Sequence, residues 1–188
     1  AEPWLAVAGV DGLDLLADGR WLHFGTESGL PGAGATSLVR AVDGRLWVGS
    51  KDRGLLRSKR PLADAVAAAA DGTAGADGGL SFEPVWNRAH GAPVDGVHSV
   101  LAQDGSVWAG TGAGVVAIDV ASSSVVHHLD ARSGLGGDVV GSLAWDPAAE
   151  LVWVAQSRGL AAVEPRTGRV VRTVSRNDGL VDDEVWLG

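Results

Sequence analysis

No cysteine occurs among the 188 residues. Disulfides, thiolate metal sites and cysteine nucleophiles are therefore excluded, while the redox compartment stays open. Methionine is missing as well, even at position 1, which leads us to expect a processed product or a fragment. Lysine and arginine form no block, and the net charge is −8. A nucleic acid or an anionic membrane surface needs a clustered positive face, so neither is an expected partner. No apolar run reaches the roughly 18 residues of a membrane span. Signal-peptide and lipidation patterns are absent. Asn87 and Asn177 lack the Ser or Thr two residues on, so there is no glycosylation sequon. Tyrosine is absent and phenylalanine occurs twice, against eight tryptophans.

The tryptophans lead to the pattern that is present. Gly44-Arg45-Leu46-Trp47-Val48-Gly49-Ser50, followed by Gly54-Leu55, recurs as Val107-Trp108-Ala109-Gly110-Thr111 with Gly114-Val115. It recurs again as Val152-Trp153-Val154-Ala155-Gln156 with Gly159-Leu160. A second marker precedes each copy: Ser28-Gly29-Leu30, His90-Gly91-Ala92 and Ser133-Gly134-Leu135, with Asp178-Gly179-Leu180 near the end. The Trp copies stand 61 and 45 residues apart. The long interval holds an Ala/Asp/Gly-rich insertion, residues 61–79, whose removal leaves 42. A period of about 42–45 residues is that of four short strands making one propeller blade. With 46% hydrophobic residues and 28 glycines, the chain has both a core and turns for an all-β fold.

Read in order, residues 1–26 are a part-blade, with strands at Trp4 to Val10, Gly12 to Leu16 and Arg20 to Gly25 and a hairpin turn at Asp18-Gly19. Leu5 is placed opposite Trp47. Residues 27–89 are a complete blade: strands Ser37 to Val42, Arg45 to Ser50, Gly54 to Ser58 and Leu80 to Trp86. Within its insertion, Ala65 to Ala70 is a helix too short to be stable alone, and the Gly/Asp-rich end is flexible. Residues 90–131 and 132–176 are two further blades, and 177–188 begin another. Apolar residues run together in these strands, as they do in strands covered on both faces. Trp47, Trp108 and Trp153 are expected to fill equivalent gaps between blades.

The unit formed by Ser28-Gly29-Leu30-Pro31, Ser37-Leu38, Asp43-Gly44 and Leu46-Trp47-Val48-Gly49-Ser50 with Gly54-Leu55 resembles the two-component regulator propeller repeat. Residues 96–120 and 133–165 carry weaker versions; His90-Gly91-Ala92 lacks the Leu, and Trp153-Val154-Ala155-Gln156 lacks the Gly-Thr. The resemblance implies a β-propeller used for sensing or binding, outside the cytoplasm (periplasmic or secreted), with no catalytic residue to carry over. Propellers close with typically 4–8 blades. Either Glu184 to Gly188 supplies the missing inner strand of a small four-bladed ring, or this is part of a larger ring completed by further blades of the same or another chain. The stop inside an inner strand and the missing Met favour the second.

Chemistry is sparse. Gly110-Thr111-Gly112-Ala113-Gly114 has the look of a phosphate loop, but a strand follows where a helix N-terminus is needed, so it reads as a blade turn. Of the five histidines, adjacent His127 and His128 point to opposite faces of a strand, and His98 falls on an inner strand facing the channel. Asp182-Asp183-Glu184 lacks the spacing of a calcium loop. No Ser, His and Asp spacing argues for a triad. Neither metal nor cofactor is expected. Function then falls to loops on a rigid scaffold: Lys51, Asp52, Arg53, Gln156 and Arg158 after the Trp strands, and Glu27, His90, Asp95, Arg132, Asp138 and Asp183 between blades. The leading expectation is a non-catalytic module that engages a small ligand or protein partner with these loops at the channel mouth. The alternatives are a metal-dependent enzyme of the streptogramin-lyase type using His90 and His98, and a purely structural assembly subunit.

Overall fold

A computed structural model describes residues 5–182 apart from Val10, Asp18, Ala33 and residues 71–78. Trp4, Asp18 of the first hairpin turn, the Gly/Asp-rich end of the insertion, Asp183 and the Glu184 to Gly188 segment lie outside the described residues. The chain divides into two compact units, Ala1–Gly96 and Val97–Gly188.

The first unit holds two antiparallel sheets. Strands β1 (Leu5–Gly9), β2 (Gly12–Ala17) and β3 (Arg20–Phe24) make a three-stranded meander. Strands β4 (Ala35–Arg40), β5 (Leu46–Ser50), β6 (Gly54–Ser58) and β7 (Phe82–Trp86) make a four-stranded one, with helix α1 (Leu62–Ala70) between β6 and β7. The second unit holds two four-stranded meanders. The third sheet is β8 (Val97–Gln103), β9 (Ser106–Thr111), β10 (Gly114–Asp119) and β11 (Val125–Leu129). The fourth is β12 (Val140–Asp146), β13 (Leu151–Gln156), β14 (Gly159–Glu164) and β15 (Arg169–Val174). This is the all-β, blade-like architecture that the repeat predicts. The glycine-rich segment 110–114 is the β9–β10 hairpin turn.

The two glycine positions of the repeat have separate duties. Gly29, Gly91, Gly134 and Gly179 each close a three-residue 3-10 turn with φ between 85° and 104°. Gly54, Gly114 and Gly159 each open the third strand of a blade, also at positive φ, and a Cβ there would collide with the carbonyl oxygen of Trp86, Leu129 or Val174 on the fourth strand. Only glycine meets both demands.

Each four-stranded sheet carries a bulge on both edge strands. The extra residue of the first strand is Thr36, His98 or Gly141. That of the fourth is Val85, Val126 or Val171. Bulges bend and twist an edge and blunt its pairing with other chains. The three-stranded sheet has none.

In the first unit one apolar cluster joins both sheets, from Leu13, Leu15 and Phe24 to Leu46, Val48, Leu56 and Phe82. Helix α1 belongs to it. Leu62 and Ala65, three residues apart on one face, are buried there together with Leu80. The helix therefore begins earlier than the alanine run suggests and is held by tertiary packing rather than propensity. In the second unit, Trp108, Val115 and Ala117 of the third sheet pack with Val140, Val152, Val154, Ala161 and Val163 of the fourth.

The tryptophans are not equivalent. Trp47 and Trp108 are buried, whereas Trp153 is half-buried and its Nε1 donates to Asp146 Oδ2 at 3.4 Å. The alignment of Leu5 with Trp47 is also corrected. Gly9 pairs with Gly12 as Ser50 pairs with Gly54, which puts Ala6 at the Trp47 position and Leu5 opposite Leu46. The cause is turn length: three residues separate Ser50 from Gly54, two separate Gly9 from Gly12.

Candidate binding loops

The turns after the Trp strands and the links before the first strands meet within each unit. In the first unit, Ser50 Oγ accepts from Asp52 N (3.2 Å) and Arg53 N (3.1 Å) and donates to Asp52 Oδ1 (2.8 Å). Arg53 Nη1 donates to the carbonyls of Gly29 (3.2 Å) and Leu30 (3.3 Å), tying the turn to the marker loop. Lys51 N reaches Gly34 O at 3.4 Å. Asp95 accepts from Arg88 N at 2.9 Å and pairs with Arg88 Nε at 3.2 Å. Glu27 Oε1 accepts from Gly25 N at 2.7 Å, and that bond holds its carboxyl below the usual range. His90 Nδ1 lies 2.7 Å from Asn87 Oδ1.

The second unit repeats the scheme with other side chains. Thr111 Oγ1 donates to Gly114 O (2.9 Å) and accepts from Ala113 N (3.0 Å). Gly114 N donates to Asp138 O (2.6 Å), Ser157 N to Val139 O (3.0 Å). Asp138 Oδ1 accepts from Ala131 N at 2.9 Å, the counterpart of the Asp95 bond. Gln156 does not sit on the exposed loop where the sequence reading put it. It is buried, and in the amide orientation that satisfies both neighbours it donates to Gly137 O (3.0 Å) and accepts from Gly136 N (2.8 Å). It occupies the place of Ser50 and Thr111, and its longer side chain reaches the link directly.

The ten candidates within the described residues thus sort themselves. Arg53, Asp95, Asp138, Gln156 and Glu27 are spent on backbone groups of their own unit, Asp52 on the Ser50 hydroxyl and His90 on Asn87 Oδ1. Arg132 is exposed beside Asp130, to which its N–H donates at 2.9 Å. Lys51 in the first unit and Arg158 in the second are exposed cations whose side chains have no partner among the described residues. The capping role of Asp95 and Asp138 had a signal in the sequence, since each lies four residues after its marker glycine.

The histidines are engaged locally. His98 Nδ1 lies 2.8 Å from Val140 O, and His127 Nε2 lies 3.0 Å from Pro165 O, its ring 5.9 Å from Trp108. His128, on the other face, approaches Ala113 O at 3.4 Å. No group of three or more His, Asp or Glu among the described residues is placed to hold a metal ion. None of the helices among them is long and apolar enough to cross a membrane.

No protein-family model matches the chain, and no curated protein matches it in sequence. Solved structures do. The extracellular domain of BT4673 from B. thetaiotaomicron, assigned to a hybrid two-component system, superposes with a TM-score of 0.63 at 16% identity, over 90% of this chain and 20% of that one. PorZ, an essential surface component of the type-IX secretion system of Porphyromonas gingivalis, gives 0.66 at 16% identity over 93% and 26%. The computationally designed Ika8 protein gives 0.64 at 14% identity over 99% and 49%. This chain therefore has the fold of β-propeller blades, as found in the extracellular domains of two-component systems. It spans about a fifth to a quarter of the length of the two bacterial proteins.

Proposed function

We propose that this chain is a non-catalytic sensing or binding module that works outside the cytoplasm and meets a small ligand or protein partner through its turn ends. The observation that carries this reading is the contrast inside the loop clusters. Most polar side chains there are consumed in holding the turns rigid, and Lys51 and Arg158 are left exposed without a partner among the described residues. A rigid scaffold presenting a few free polar groups is how loops come to bind. The fold shared with extracellular domains of two-component systems, and with a bacterial surface component, supports the compartment.

A thermal-shift screen against sugars, amino acids, organic acids and short peptides tests it. A ligand held at 100 times its Kd stabilises by about 2.7 kcal/mol, a visible rise in Tm. Lys51→Ala and Arg158→Ala leave the fold intact, and at least one removes the shift of a true ligand. A hit whose shift survives both substitutions sinks the assignment of the face.

A further inference from the structure

The first unit gathers positive charge at one end of its four-stranded sheet. There the β4–β5 turn is fastened to the link that runs from β6 to helix α1. Arg45 Nη1 donates to Ser58 O at 3.3 Å, and Leu46 N donates to Ser58 Oγ at 3.0 Å. Leu62 N donates to Gly44 O at 2.8 Å, and Ser58 Oγ donates to Arg60 O at 2.8 Å. These bonds bring Arg45, Arg57, Lys59 and Arg60 to one rim, with Arg40 at the end of β4 opposite Leu46. Five of the 15 basic residues thus share one place in a chain whose net charge is −8. The carboxylates there are fewer. Asp43 pairs with Arg45 Nε at 3.5 Å, Glu83 pairs with Arg57 Nη2 at 2.7 Å, and Asp64 is exposed on the first turn of α1. Glu83 registers the local field. Its carboxyl is held below the usual range first by the Arg57 bond, with the charges of Lys59 and Arg45 adding to it. Lys59 and Arg60 are exposed, and the Arg60 side chain has no partner among the described residues.

The repeat does not demand this charge. Counting two residues on from the cross-strand partner of each tryptophan gives Lys59, Asp119 and Glu164. The third and fourth sheets therefore carry a carboxylate where this sheet carries a cation. Nor is the rim a product of where the chain starts or stops, since it consists of strand ends in the second of four sheets in chain order. Val42 stands in the turn among these cations and is 81% exposed. The turn that holds it is closed by Ala41 N donating to Arg45 O at 3.0 Å and Gly44 N to Ala41 O at 2.9 Å. An aliphatic side chain fixed in water amid positive charge offers a contact that a purely ionic ligand does not use.

We infer that this rim is a docking surface for an acidic polypeptide segment that carries an aliphatic side chain. Lys59 and Arg60 meet its carboxylates, and Val42 meets its aliphatic group. The net charge of −8 selects against longer polyanions. A nucleic acid or an anionic membrane extends beyond the Debye length of about 8 Å and meets the acidic remainder of the chain, whereas a short segment stays within the field of the rim. The rim and the Lys51 turn lie at opposite ends of β5, so the inference does not rest on the loop-face reading.

Fluorescence anisotropy tests it, with the 188-residue chain titrated into a labelled peptide made of a run of Asp and Glu around one Leu. Circular dichroism is the check on folding. Saturable binding that weakens as salt is raised is expected. Lys59→Glu and Arg60→Glu, both at exposed positions, should each weaken it at least about tenfold. Val42→Ser should weaken it about threefold or more. Arg166→Glu makes the same charge change in the second unit and should leave the affinity within about twofold. Absence of binding overturns the inference. So does binding that Lys59→Glu and Arg60→Glu both leave unchanged, or equal binding of a peptide with Asn and Gln in place of its acids. Dextran sulfate binding in the peptide's place, with Val42→Ser without effect, would make the rim a general polyanion site and overturn the polypeptide assignment.

Discussion

The first sheet pairs its strands as the last three of the fourth do, save for the bulge at Val171, and fills the positions differently. The fourth pairs Trp153 with Ala162, as the third pairs Trp108 with Ala117. The first reverses the sizes, with Ala6 opposite Leu15. The second takes a further route, pairing Trp47 with Arg57, whose guanidinium lies 5.7 Å from the ring centroid and binds Glu83 at 2.7 Å. What the repeat keeps at this pair is the register and at least one large side chain, since cross-strand neighbours are the unit of sheet packing. Which strand carries it, and how much volume the two residues sum to, changes from sheet to sheet.

Substituting the tryptophans breaks or sharpens this comparison most directly. Trp108→Ala empties the centre of the second unit's core and should cost about 3–5 kcal/mol. Trp153→Ala acts on a half-buried side chain and should cost about half as much. Chemical denaturation measures both, and equal losses would show that the two positions are equally enclosed. Next in size is the backbone. Gly114→Ala puts a Cβ against Leu129 O at φ 103° and should cost about 3 kcal/mol, the upper end for strained backbone. Gly112→Ala, two residues away with open space around it, should fall within about 0.5 kcal/mol of the parent.

The exchange of large and small residues is testable as a pair. Ala6→Trp alone overpacks the first unit's core and should cost about 1–3 kcal/mol. Combined with Leu15→Ala it recreates the Trp–Ala order of the third and fourth sheets. The double variant should then be less destabilised than the two single losses added together, by at least about 0.5 kcal/mol. Strict additivity would show that Ala6 and Leu15 do not share one space.

The blade architecture was legible because it rests on periodic features. Trp47, Trp108 and Trp153 recur with their glycines at a near-constant interval, and the strand Gly54 to Ser58 is legible to the residue. Other features were less so for physical reasons. Register in the first sheet depends on a turn one residue shorter than that between Ser50 and Gly54, a length that residue types do not report. Helix α1 is fixed by Leu62 and Ala65 meeting a core that exists only in three dimensions. At the loops, sequence identified charged residues near the turns but not which were already occupied. Gln156 and Asp138 read as candidates like Arg158, and only the backbone groups around them separate scaffold from free surface.

The smallest expected effect is electrostatic, and it again sets the first sheet against the later ones. His23 in the first sheet has its pKa raised above 6.5, chiefly by its 2.8 Å hydrogen bond to Asp14. Its contribution is fully present below the unfolded value of about 6.5 and fades as pH rises through the folded one. Asp178 and Asp146, after and within the fourth sheet, are held below 3.8, Asp178 by Ser175 N–H and hydroxyl and Asp146 chiefly by Ala149 N–H. Their contributions are present above about pH 4 and fade as pH falls through the folded values. The neutral end of the pH range therefore reports on His23, while the acid end reports on these carboxylates together with Glu27, Glu83, Asp119 and Asp130 of the other blades. Asp14→Asn should return the His23 titration, followed by NMR, toward 6.5 and flatten any loss of Tm between pH 6 and 8, while leaving the loss below pH 4 as it was. An unchanged His23 titration would show that the pair does not form in solution.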